Sequence, residues 1–349
     1  FGASHKLVVN EETSLAFGMD VSGGDLGWNS CGLYAFDIRD PMNPVAKGCL
    51  YSGSTHDAQC VLYRGPDEAY FGKEICFVYA GNSGLVILDI TDLNNPKTVA
   101  SISSYVNKAY THQGWINCQH DTVFFGDEVD EMSNGGSKVR TFVVDVSTLS
   151  EPTIMNVHVS GVDSIDHNQY VCGGFVYQSN YESGLRILDG SQAQTNKSGK
   201  ITEVAYFDIF PDRDAVSFKC TWNVWPYFKS GRVIIGDIDG GLAVVRPTNL
   251  LKQARQRSVG IAGDGVCPIL LEERACADLS PTKAPTAKPD AVEGDDPLLS
   301  SQTNNPAIDA AGAWAYGAGT PDVIVQVVDT GLQLSHEEHQ VNIWQNPGE

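Results

Sequence analysis

The sequence predicts an all-β fold: an incomplete β-propeller of about five four-stranded blades, then a linker, then the first helix and strand of an α/β domain. Three observations predict it. A strand motif, in most copies led by glycine, recurs through residues 1–248. A histidine marker recurs in phase with it. Near the C-terminal end, a continuous apolar run from Val323 to Val328 leads into Asp329-Thr330-Gly331.

The strand motif reads GLYAFDIRDPMNP from Gly32, GLVILDITDLNNP from Gly84, VRTFVVDVSTLSEP from Val139, GLRILDG from Gly184 and GLAVVRP from Gly241. Short β-rich runs at this density, closed by polar turns and proline, signal all-β structure. The histidine marker opens HKLVVN at His5, HDAQCVLY at His56, HQGWIN at His112 and HNQYVCGGFVYQ at His167, at intervals of 51, 56 and 55 residues. A further 55 residues reach Trp222-Asn223, where the histidine is gone. Each unit therefore reads as a histidine-led strand, a second strand, the motif strand and a fourth. In the second unit these are AQCVLY, EICFVYAG, GLVILDI and TVASISS. Four strands in about 50 residues is the unit of a propeller blade. The fifth unit ends after GLAVVRP with no evident fourth strand.

The phase has a functional corollary. If each histidine opens the same strand of its blade, His5, His56, His112 and His167 line one mouth of the axial channel, where imidazoles bind a metal or an anionic group. Asp57, Asp166 and the acidic run Asp127 to Glu131 fall near that rim. The competing expectation is that each histidine bonds a backbone group within its own blade.

THDAQC, YTHQGW, DEVDE, SIDHNQY and SNYESGLRILD closely resemble the choice-of-anchor B proteins, built from LVIVD-type repeats, over about residues 3–248. That resemblance implies a secreted or surface-anchored propeller and no particular reaction. It also implies that blades precede Phe1. The chain starts with Phe rather than Met, and both ends are expected to be cuts in a longer protein.

Residues 249–303 read as a linker. They hold Cys267 and Cys276 and the stretch SPTKAPTAKPDAVEGDDP, whose proline and threonine content suits an extended, solvated spacer. From residue 304 the chain gives AIDAAGAWAYG, a short helix, and VIVQVV, with no polar face, as in a parallel strand covered on both sides. Asp329 stands at the carboxyl end of that strand, where chemistry gathers in open α/β sheets. With SHEEH and NIWQNPGE following, residues 304–349 resemble the truncated start of a subtilisin-like serine peptidase domain. The resemblance implies that Asp329 is the triad aspartate, which orients a histidine and stabilises its imidazolium. In subtilisin the order is Asp, His, Ser, so the other two members are expected beyond Glu349. His336 and His339 lie 7 and 10 residues after Asp329; His336 matches a family position other than the base, and neither is expected to act as one. Glu338 matches a position where many relatives place a calcium-binding carboxylate, usually Asp; an ordinary exposed loop carboxylate is the other reading.

Composition narrows the partners. Forty-three acidic against 23 basic residues give a formal charge of −20, which excludes nucleic acid as a natural partner. No run of about 18 apolar residues marks a membrane helix. Nine cysteines without zinc-type spacing, among them the local pairs Cys60/Cys76 and Cys267/Cys276, and the acceptor Asn196-Lys197-Ser198 favour disulfides and an extracellular setting. The leading expectation is a fragment of a secreted serine endopeptidase acting on protein or peptide substrates. It needs no cofactor for catalysis, a structural calcium being an option at Glu338, and its propeller positions a substrate or a cell-surface or matrix ligand. The fragment, lacking the catalytic His and Ser, is expected to be inactive. The rival is a non-catalytic extracellular propeller used for binding or adhesion. A third reading makes the histidine-lined propeller itself a metal-dependent enzyme.

Overall fold

The computed structural model describes residues 3–22, 31–133, 136–172, 174–228 and 231–247. Asp329, Glu338, the linker and the Cys267/Cys276 pair all lie outside the described residues. The described strands belong to one compact unit, Phe1–Asp40 with Pro44–Ser280.

Five antiparallel sheets follow one another along the chain. The first contains β1 (Lys6–Asn10), β2 (Leu15–Val21), β3 (Cys31–Asp37) and β4 (Val45–Tyr51); the second β5 (Asp57–Leu62), β6 (Glu74–Tyr79), β7 (Leu85–Asp89) and β8 (Lys97–Ile102). The third contains β9 (Thr111–Ile116), β10 (Thr122–Asp127), β11 (Lys138–Asp145) and β12 (Thr153–Asp163); the fourth β13 (Gln169–Cys172), β14 (Phe175–Asn180), β15 (Gly184–Asp189) and β16 (Thr202–Phe207). The fifth has β17 (Thr221–Trp225), β18 (Val233–Asp237) and β19 (Gly241–Val245). Every sheet is a simple meander, and the first strands pack in succession: β1 on β5, β5 on β9, β9 on β13, β13 on β17. This is a β-propeller arrangement. Five blades are present as expected; among the described residues four sheets have four strands and the fifth has three, in keeping with the missing fourth strand after GLAVVRP.

Sheet stacking explains why the motif strands read as apolar on both faces. Ile87 and Phe77 pack toward Phe125, Phe142 and Val144 of the third sheet. Their strand neighbours Val86, Leu88 and Val78 point the other way, toward Phe17, Met19 and Leu33 of the first. Phe124 and Phe125 split in the same manner, Phe124 meeting Val171, Val176 and Leu188 of the fourth sheet. Successive side chains alternate between faces, so a strand buried on both has no polar side to show. The outermost strands are open on one face: β12 alternates exposed and half-buried residues from Thr153 to Val162.

The repeated glycine has a local cause. Gly84 adopts φ +89°, and a Cβ there would lie 2.0 Å from the Ile102 carbonyl oxygen; Gly184 adopts φ +76°, with its Cβ 2.4 Å from the Phe207 oxygen. In both sheets the end of the fourth strand presses on the residue opening the third, in a left-handed conformation that only glycine adopts cheaply.

Cysteine pairing was partly legible. Cys60–Cys76 is a disulfide, joining directly opposed residues of β5 and β6. Cys31–Cys49 is a second. Cys118 and Cys172 are also disulfide-bonded, and Cys220 is a buried free thiol. Among the described residues no helix is long and apolar enough to cross a membrane.

Candidate functional site

The four marker histidines precede or open the first strands, which lie together along the axis, so their rings form one ladder. Centroids are 4.2 Å apart from His5 to His56, 4.0 Å from His56 to His112 and 4.6 Å from His112 to His167. His167 then stacks 4.2 Å from Trp222, the residue that replaces the fifth histidine. The four rings thus lie side by side. The bonding differs from the expectation that each ring serves its own blade. His5 Nδ1 reaches the His56 carbonyl, His56 Nδ1 the His112 carbonyl and His112 Nδ1 the His167 carbonyl, each at 3.1 Å, and His167 Nδ1 meets the Trp222 carbonyl. Each ring fastens the next blade, because the following first strand brings its own marker carbonyl within reach.

A carbonyl only accepts, so each of these Nδ1 atoms must donate. That leaves a lone pair on every neutral Nε2. In the buried part of the ladder these lone pairs meet a carboxylate. His112 Nε2 lies 3.5 Å and His167 Nε2 3.8 Å from the Glu128 carboxylate. His56, His112 and Glu128 can each direct one ligand atom so that all three lie within 4.8 Å of one another. His112 is fully buried and its Nε2 has no hydrogen-bond partner. Glu128 Oε1 accepts a 2.7 Å hydrogen bond from the Tyr181 hydroxyl.

Electrostatics sharpen the picture. Burial, with the charges of neighbouring rings adding, lowers His56 to about 3 and holds His112 well below the ordinary histidine value; burial lowers His167 to about 3. All three are neutral over the physiological range. Burial pushes Glu128 up to about 7, the Tyr181 bond opposing and the Asp127 charge adding. Two acceptors, an imidazole lone pair and a carboxylate, therefore face each other with nothing between them except what a proton or a cation supplies. Nδ1 anchored on a carbonyl with Nε2 aimed at a shared point is how metal-binding histidines are oriented, and two imidazoles with one carboxylate suit zinc or a similar ion with an open fourth position.

Of the carboxylates expected at this rim, Asp57 pairs instead with Lys6 of the first blade. Asp127 is held by the Tyr105 hydroxyl and by the Ala109 and Tyr110 N–H groups. Asp166 groups with Asp130 and Glu131. Tyr181 was not foreseen; the sequence carries its signal only as SNYESG immediately before the fourth motif strand.

No family model matches the chain, and no curated protein matches it. Among solved structures, it is similar to the computationally designed Ika8 protein, with 11% identity over 69% of this chain and 57% of that one, at a TM-score of 0.41. It is also similar to Chaetomium thermophilum Raptor, with 8% identity over 70% of this chain and 20% of that one, at a TM-score of 0.44. The chain thus spans less than two thirds of either structure. At these values neither likeness bears on function.

Proposed function

We propose that the propeller is an extracellular binding module whose axial mouth takes a divalent transition-metal ion on His56, His112 and Glu128, leaving an open position for an anionic group of a partner. The observation that carries this reading is the His112 Nε2 lone pair standing, without a donor, 3.5 Å from the half-buried Glu128 carboxylate. The test is direct: dialyse the purified chain against EDTA, titrate zinc by calorimetry, and repeat with Glu128→Gln. One equivalent bound by the wild type and lost in the variant supports the site. No zinc binding, or binding unchanged by Glu128→Gln, overturns it.

A second reading concerns the whole protein, and residues 304–349 favour it: the apolar run into Asp329-Thr330-Gly331, then SHEEH and NIWQNPGE. On that reading the propeller is the positioning domain of a secreted subtilisin-like serine endopeptidase, with Asp329 orienting the catalytic histidine. The experiment is to extend the coding sequence past Glu349, express the product and label it with a fluorophosphonate probe. A downstream histidine and serine, with labelling that Asp329→Asn diminishes by orders of magnitude, support the peptidase. A longer chain with neither residue leaves only the binding propeller.

A further inference from the structure

Behind the histidine ladder lies a second group of ionisable side chains that the first site does not use. Asp130 and Glu131 begin the helical turn α1 (Asp130–Ser133), and Asp166 precedes His167. Each of the three offers a carboxylate oxygen within 4.8 Å of the others. They are 3%, 5% and 3% exposed, respectively. No N–H or hydroxyl reaches either oxygen of Asp166 or of Glu131; their close neighbours are one another's carboxyl groups, Glu131 beside both Asp130 and Asp166. Buried carboxylates are ordinarily paired or bonded to a donor, so acceptors facing acceptors call for a proton or a cation between them.

The surroundings are built to admit such a group. Gly126 of β10 makes room for Asp166: a Cβ at that position would stand 1.7 Å from Asp166 Oδ2. A cavity of about 190 Å³, lined by Asp130 and Glu131 together with Asn107 and Lys138, borders the cluster. One bordering cation belongs to the cluster and one does not. Arg140 bonds Asp130 Oδ2 through Nε and Nη2, and the Val106 and Asn107 carbonyls through Nη1 and Nη2. Lys138 pairs with Asp163. Ionised, three carboxylates against one guanidinium leave two negative charges, the complement of one divalent cation.

We infer that Asp130, Glu131 and Asp166 form a calcium site between the third and fourth blades. The donors are all hard oxygens, which calcium prefers and zinc does not. Two oxygens on opposite sides of a calcium ion at about 2.4 Å stand about 4.8 Å apart, so oxygens that all lie within 4.8 Å of one another can share one ion. Bound there, calcium ties α1 and the end of β10 to the segment leading into β13. It therefore braces the turn that carries Glu128 into the ladder. The alternative chemistry is a proton shared between Glu131 and Asp166.

The experiment uses the full 349-residue chain. After EDTA dialysis, thermal unfolding is followed with calcium, magnesium or no added metal, for wild type, Asp166→Asn, Glu131→Gln and Glu128→Gln. The site predicts that calcium raises the wild-type midpoint more than magnesium does. It also predicts that Asp166→Asn and Glu131→Gln lose the response while unfolding in EDTA no earlier than wild type, since each removes a buried charge. Glu128→Gln should keep the calcium response while losing zinc binding, which separates this site from the histidine site. A wild-type midpoint indifferent to calcium means the shared proton and overturns the assignment. A calcium response that survives in Asp166→Asn overturns it equally.

Discussion

Glu128 lends itself to a quantitative test without any metal. Its carboxyl titrates at about 7 in the folded chain, against an ordinary value of 4.5. Its side chain is 14% exposed, so solvent screens it little. A raised folded value means that the protonated form favours the fold. The contribution is fully present below about 4.5 and disappears as pH rises through about 7. The separation corresponds to about 3 kcal/mol, at about 1.4 kcal/mol per tenfold change in proton affinity. Glu128→Gln keeps the shape, and its amide can accept the Tyr181 bond, but it cannot ionise. Urea unfolding of both proteins in EDTA, from pH 5 to pH 8.5, should therefore give two curves that diverge upward in pH. The variant gains about 3 kcal/mol on the wild type across the range. Taking the difference cancels Asp130 and Glu131, whose carboxyls do not depend on the Glu128 charge. A difference that stays flat with pH would mean that Glu128 ionises as an ordinary carboxyl, and the argument for opposed acceptors would fail with it.

Further outcomes follow from the same geometry. Zinc affinity should fall about tenfold per pH unit below 7, as one proton competes for Glu128, with no second break near 6.5 because the histidines are already neutral; a calorimetric pH series reads this directly. Phe125→Ala, removing a fully buried ring stacked 4.7 Å from Phe142, should cost about 3–5 kcal/mol in urea unfolding. Gly84→Ala should destabilise the second blade, since the new methyl meets the Ile102 carbonyl in a left-handed backbone; a lowered thermal midpoint is the readout. Expressed through a secretory pathway, the chain should carry a glycan on Asn196, which is exposed and already accepts hydrogen bonds from Ser198. A glycosidase-sensitive mass shift, lost in Ser198→Ala, checks that.

Much of the blade architecture was legible because its causes are local. The strand order within the second unit, from AQCVLY to TVASISS, agrees with β5 to β8 to within two residues. The Cys60–Cys76 bridge could be picked out for a similar reason, since a hairpin puts those positions opposite each other. The Cys31–Cys49 bridge was not foreseen: it joins the third and fourth strands of the first blade across a bulged pairing that spacing does not reveal. The marker histidines were found by phase alone, without their bonding.

The sequence by itself determined the repeat, the apolar filling of both faces of the motif strands and the glycines that open them, because these answer to the conformation of a few neighbouring residues. Only the tertiary structure decided that each imidazole fastens the next blade's carbonyl. It alone set Glu128 beside His112, and Asp166 in the space left by Gly126 and beside Glu131. Those partners stand up to about 56 residues apart in the chain, and no local periodicity encodes which of them meet. The packing of one blade's first strand against the next settles it, by removing water from groups that must then find one another.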